Sequence, residues 1–305
     1  TARYEAIQKR VAARWPRPDR WAVVASESTH SSVDSSARVM DVDVILAAVD
    51  GDRRLRGSAV AEAITGRPAG TEVFAVVATA GTTNLGIVDA LEDIAEACAE
   101  AGVWLHVDGA YGGAAMVAPS VRRRFDGIER CDSLVVDPHK WLFSPFDCAA
   151  LLYRNPPVAR AAHTQHAGYL DPIIDDTVWN PCDYAHVLTR RARGMPFWFS
   201  LAVHGTDAYR DAIEHTLEVA RATRNLVVAA PHLELLVEPE LSVVAFRRTG
   251  WDLADYQTWC DRLLADGTAL LTPTTVDGTG AMRVCIVNPR TTVEDLAEVL
   301  ATLEP

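Results

Sequence analysis

Between residues 21 and 154 the chain alternates short apolar runs, rich in Val, Ala and Leu, with stretches of helical periodicity. This alternation narrows the available folds more than any other feature. WAVVASES (21–28), VDVILAAVD (42–50), TEVFAVVATAG (71–81), VWLHVDGA (103–110), CDSLVVDPHKW (131–141) and CAALLYR (148–154) read as strands. Runs this apolar are buried on both faces, and with helical segments between them they predict an α/β domain with a largely parallel sheet. SSVDSSARVM, GSAVAEAITG and DALEDIAEACAEAG read as the helices. In the last of these, Asp89 and Glu92 fit a capping box and Gly102 fits the C-terminal cap.

Beyond Asn155 the pattern lapses. PPVARAAHTQHAGYLDPIIDDTVWNP carries turn formers and no sustained period, which predicts a long irregular segment. A helical stretch beginning PFWFSLAVHG leads into a C-terminal α/β piece. Strands are expected there within LELLVEPELSVVAFRRTG and AMRVCIVNPRTT, around the helix DLADYQTWCDRLLADG, with TVEDLAEVLATLEP as the closing helix. The expected division is a large domain over 1–205 and a smaller one over 206–305.

Composition limits the partners. The formal net charge of −12 argues against nucleic acid or an anionic membrane surface, both of which need a basic excess, and points to a small-molecule ligand. No apolar run approaches the roughly 20 residues of a membrane span, and TARYEAIQKR is not a signal peptide, so a cytoplasmic protein is expected. Six cysteines, at 98, 131, 148, 182, 260 and 285, show no C-x-x-C pair or zinc-ligand spacing and read as reduced core thiols. His163 and His166 lack a carboxylate partner in sequence, so no metal is expected.

Of 29 basic residues only Lys9 and Lys140 are lysines. Arginine solvates a surface as well, but its guanidinium stays protonated and does not attack a carbonyl as a free amine does, so a retained lysine invites a chemical explanation. Lys9 sits in a polar amphipathic segment and needs none. Lys140 follows a strand in DPHKW, and Asp108 ends another strand in HVDGAYGG, where Gly109, Ala110, Gly112 and Gly113 leave room for a flat ligand. Open parallel sheets bind ligands at this end. An amine for an aldehyde cofactor and a carboxylate for its ring nitrogen are the minimum for pyridoxal phosphate chemistry. The spacing alone also fits a surface aspartate and an ordinary salt-bridge lysine. His30, in STHSSV, adds an imidazole suited to stacking on a heteroaromatic ring.

Taken in order, STHSSV, ATAGTTNLG, HVDGAYGG, DPHKWLFSPFDCAALLY, RRARGMPFW and RVCIVNPRTT resemble the group II pyridoxal-phosphate-dependent amino acid decarboxylases, the family of aromatic L-amino acid decarboxylase. The resemblance implies the PLP-dependent transferase-like fold type I: a mostly parallel central sheet flanked by helices, with a smaller C-terminal α/β domain. It also implies a homodimer and decarboxylation of an L-amino acid to the amine and CO2 through a Schiff base on Lys140. Asp108 would pair with the pyridinium nitrogen. His30 and Ala110 would lie against opposite faces of the ring. Thr83 and His139 would stand near the cofactor, and Tyr169 would help protonate the α-carbon. Related aldehyde synthases carry Phe at that last position. An aldehyde synthase, or a catalytically silent dimer partner, are the alternatives kept.

Two departures stand out. The family's Gly/Ser-rich phosphate segment lies upstream of the stacking histidine, and a chain beginning at Thr1 leaves no room for it, so the chain is expected to lack an N-terminal portion. Asp137 occupies the place of an asparagine near the phosphate in animal members, and an anion there is unfavourable unless it turns away or is offset by donors.

Overall fold

The computed structural model describes residues 1–164 and 179–304. After the helix α1 (Ala2–Ala13), strands and helices follow as β1 (Arg20–Ser26), α2 (Ser31–Met40), β2 (Asp43–Ala47), α3 (Gly57–Thr65), β3 (Thr71–Thr79), α4 (Leu91–Ala101), β4 (Trp104–Asp108), β5 (Ser133–Val136) and β6 (Ala150–Tyr153). These six strands form one sheet in the order β2-β1-β3-β4-β5-β6. Neighbours are parallel from β2 to β5, and β6 closes the edge antiparallel to β5. The central strand β3 is buried at eight of its nine positions, as its near-continuous apolar run requires.

The second part holds α5 (Pro156–His163), α6 (Gly194–Ala229), β7 (Leu233–Leu235), β8 (Val243–Arg248), α7 (Leu253–Ala265), β9 (Thr274–Val276), β10 (Thr279–Cys285) and α8 (Val293–Ala301). Its four strands pair antiparallel in the order β7-β8-β10-β9. Helix α6 is broken at Gly205, whose φ of 76° and ψ of 163° are non-helical. Beyond the break, Ile213 and Leu217 belong to the core of the large sheet, while Val219, Ala220 and Val227 belong to the core of the small one. Capping boxes at Asp252 and Thr292 open α7 and α8.

Three readings change. Asp89 and Glu92 do not cap α4: its N-cap is Ala90, with no side-chain bond. Asp89 turns inward instead, accepting from Leu55 N at 2.9 Å and Thr79 N at 2.7 Å. The stretch predicted to be irregular begins with α5, which Pro156 and Pro157 open at the first turn where their missing N–H groups are harmless. Cys285 is exposed and Cys182 half-buried rather than core thiols. Among the described residues no helix is long and apolar enough to cross a membrane, and no group of three or more His, Cys, Asp or Glu is arranged to hold a metal ion.

Candidate active site

The carboxyl ends of β1, β3, β4 and β5 carry the chemistry. Register fixes their side chains side by side: Thr79 pairs with Asp108, and Asp108 with Val135. Residues directly opposed in register share a face of the sheet. All three open into one cleft of about 220 Å³, lined also by His30, Ala110 and Lys140. Thr83 and Asp137 complete the polar wall. Beside Tyr111 the packing leaves Gly112 no space for a larger residue: a Cβ there would lie 2.3 Å from the Ala80 carbonyl oxygen.

The loops bearing the acid and the amine are tied together by backbone. Asp137 N donates to Ala110 O at 3.1 Å, and Lys140 N donates to Asp137 O at 2.9 Å. Below them Trp141 is fully buried, stacked on Tyr111 with centroids 5.1 Å apart and planes 11° from parallel. Its Nε1 donates to Thr216 Oγ1 of α6 at 3.0 Å. Tyr111 in turn accepts from Ser242 N at 3.0 Å, joining the loop to the second part of the chain. Burial drives the Tyr111 hydroxyl well above its ordinary pKa, so it stays protonated.

Each predicted residue can be located. Lys140 Nζ lies 2.9 Å from Asp137 Oδ2, with the lysine side chain 42% exposed and the aspartate 13%. Asp108 Oδ1 accepts from Ala110 N at 3.0 Å, leaving the second oxygen free of that bond. His30 caps α2, its Nδ1 accepting from Ser32 N at 3.2 Å, and its ring is exposed at the rim. Thr83 is exposed at the same rim. His139 is not among the residues lining the cleft: Cys148 N donates to its Nδ1 at 3.0 Å, and its Nε2 stands 3.9 Å from Asp137 Oδ2. Asp137 is therefore offset by a lysine and approached by a histidine. Tyr169 falls outside the described residues.

Sequence reading missed Thr79, Tyr111 and Val135 as parts of the site. Thr79 had a signal: it is a polar residue ending an otherwise apolar strand. Its hydroxyl is buried without a hydrogen-bond partner, a costly state that a ligand atom would relieve. A cleft offering an amine, a carboxylate, an orphaned hydroxyl and an imidazole fits a small polar heteroaromatic aldehyde such as pyridoxal phosphate.

Comparison with known proteins agrees. The pyridoxal-dependent decarboxylase conserved domain matches residues 1–249. An aromatic-L-amino-acid decarboxylase of Bacillus atrophaeus is 32% identical over 297 residues, covering 92% of this chain and 62% of that protein. An L-2,4-diaminobutyrate decarboxylase of Acinetobacter baumannii is 31% identical over 298 residues, covering 92% and 58%. Among solved structures, Oryza sativa TDC with PLP and tryptamine superposes with a TM-score of 0.89 at 25% identity, covering 99% of this chain and 65% of that one. Mouse CSAD gives 0.88 at 25% identity, covering 99% and 67%. The chain spans about 60% of the length of the curated relatives it matches.

Proposed function

Because this chain belongs to the pyridoxal-dependent decarboxylase family, we propose that it removes the carboxylate of an L-amino acid as CO2 and releases the amine, with Lys140 as the covalent anchor of the cofactor. The observation that carries this reading is the convergence of Lys140, Asp108, His30, Ala110 and Thr83 on one cleft at the carboxyl edge of the sheet.

When bound, pyridoxal phosphate supplies an electron sink for the pair left behind as CO2 departs. The chain's own residues do the rest. Lys140 brings the amine, and Asp137 Oδ2, 2.9 Å away, is within reach of a proton leaving Nζ. Asp108 would hold the ring nitrogen, its carboxylate oriented by the bond from Ala110 N. A negative charge fixed there would favour a protonated ring nitrogen. His30 would cover one face of the ring and Ala110 the other, and Thr83 would bound the rim. His139 acts from behind Asp137 rather than from the cleft wall. Tyr169 is proposed to deliver the proton that quenches the α-carbon.

We further propose a cytoplasmic homodimer, a cofactor-binding part over 1–205, and aromatic amino acids as the first substrates to try. The relatives' names include aromatic amino acids, 2,4-diaminobutyrate and histidine. The test is incubation of the full chain with pyridoxal phosphate and individual L-amino acids, measuring CO2 and product. Equal amounts of CO2 and amine are expected, with borohydride fixing one cofactor on Lys140 and none on a Lys140→Ala variant. Aldehyde formed without amine refutes simple decarboxylation.

A further inference from the structure

A larger cavity, of about 530 Å³, adjoins the cleft, and His30 and Thr83 line both, so the two spaces meet at those side chains. Its other walls come from distant parts of the chain. One is the turn between β2 and α3, which carries Arg53, and another is the turn between β9 and β10, which carries Asp277. Arg53 Nη1 donates to Asp277 Oδ1 at 2.8 Å and Nη2 to Oδ2 at 2.6 Å, the two-pronged pairing that suits a guanidinium and a carboxylate. The pair ties one wall to the other across 224 residues of sequence.

The backbone on either side of the pair is braced. Asp277 and Gly278 have φ of 53° and 71°, the left-handed geometry of a two-residue hairpin turn. Arg53 is left-handed as well, at 63°, and its turn is held by Asp50 Oδ1, which accepts from Asp52 N at 2.9 Å and from Arg54 N at 3.0 Å. The hairpin has a second attachment of a different kind. Val276 packs with Leu85 and Ile87 in a buried apolar cluster, and Thr274 Oγ1 donates to Asn84 Oδ1 at 3.0 Å. Parting buried apolar side chains brings them into water, which opposes separation. The ion pair, whose side chains are 35% and 60% exposed, is rehydrated as it parts and holds weakly. The Arg53 side is therefore the one that opens, with Leu85 and Ile87 as the fixed edge.

We infer that the Arg53–Asp277 pair is a clasp over an approach to the cofactor cleft: joined, it restricts the cavity that leads to His30 and Thr83, and parted, it lets the cofactor in or out. This rests on the proposed role of the cleft and adds a gate to it. Neither Arg53 nor Asp277 lines the cleft itself, so the clasp sets how fast a ligand passes and not how tightly it is held. Entry and exit are scaled alike.

Two measurements test it. The first is amide hydrogen exchange of the segment 274–281 in the full chain without cofactor. Arg53→Gln and Asp277→Asn are each expected to speed exchange there about fivefold, the weight of a half-exposed ion pair, and added salt to speed it in the parent protein but not in the variants. Exchange unchanged in both variants overturns the inference. The second is stopped-flow binding of pyridoxine 5′-phosphate, which has no aldehyde and so reports passage without a bond to Lys140, read by tryptophan fluorescence. Both variants are expected to raise the association and dissociation rates together, about fivefold, and to leave Kd unchanged. Unchanged rates, or a changed Kd at an unchanged association rate, overturn it. So does association that slows in Arg53→Gln and quickens in Asp277→Asn, the mark of plain attraction between charges. Borohydride trapping of pyridoxal phosphate on Lys140 in the parent protein reports separately on the proposed function, so failure of that reading is distinguishable from failure of this one.

Discussion

Replacing Asp89 by Asn gives a stability change whose size depends on pH. The Asp89 carboxyl is 2% exposed and accepts a backbone N–H on each oxygen, from Leu55 and from Thr79. Burial pushes it up to about 6 from 3.8, against the pull of those two bonds and of Arg54. Between these values the folded protein holds the proton more tightly than the unfolded chain. Stability from this group is therefore greatest at the acid end, falls as pH rises through that window, and is level above it. At about 1.4 kcal/mol per pKa unit the fall amounts to about 3 kcal/mol. Asparagine abolishes this slope but introduces a second cost. A protonated carboxyl keeps a lone pair on both oxygens, whereas an amide nitrogen has none to offer. One of the two backbone N–H groups then faces a donor in the interior, at about 1–3 kcal/mol. Asp89→Asn is thus most destabilising below about pH 4, and the deficit shrinks by about 2 kcal/mol between about pH 4.5 and about pH 7.5. Urea denaturation of both proteins at several pH values, followed by tryptophan fluorescence, measures the difference directly, and other titrating groups cancel in it. Parallel stability curves for the two proteins would refute the reasoning.

Gly112→Ala is expected to lower the urea midpoint by the equivalent of about 1–3 kcal/mol, because its Cβ meets the rigid Ala80 carbonyl oxygen at 2.3 Å and Leu241 Cδ1 at 2.6 Å, while Gly51→Ala, with nothing within 4 Å, is the near-neutral control. Asp137→Asn is expected to raise the rate of reductive methylation of Lys140 by roughly fivefold, the equivalent of about 1 kcal/mol for a partly solvent-screened ion pair. Lys9, paired with Glu5 at 3.2 Å, is the internal reference in the same mass spectrum, and an unchanged Lys140 to Lys9 ratio counts against the assigned pairing.

Much of the first sheet was legible because its strands bury both faces. A run such as TEVFAVVAT has one way to satisfy its backbone and hide its side chains at once. Asp108 was legible for a related reason, as the end of a buried strand, whereas Lys140, beyond the end of β5, reaches the cleft through the loop that Asp137 N ties to Ala110 O. The misreadings share a cause as well. Asp89 carries a helix-cap signature in sequence, but two orphaned backbone donors, from Leu55 and Thr79, compete for its carboxylate. Partners supplied by distant segments are invisible to local pattern. Tyr111 escaped for the same reason: its partner is Ser242, 131 residues away. The short amphipathic helix Pro156–His163 was hidden by turn-forming neighbours that a longer window averaged in.

The portion of α6 after Gly205 is an unbroken rod with one end seated in each core. A rod clamped at both ends carries torsion. Any swing of the C-terminal lobe about this axis is delivered at Thr216, whose hydroxyl receives the indole N–H of Trp141, the neighbour of Lys140. Leverage on the Lys140 amine is thereby available from a lobe that, among the described residues, contributes no side chain to the cleft walls.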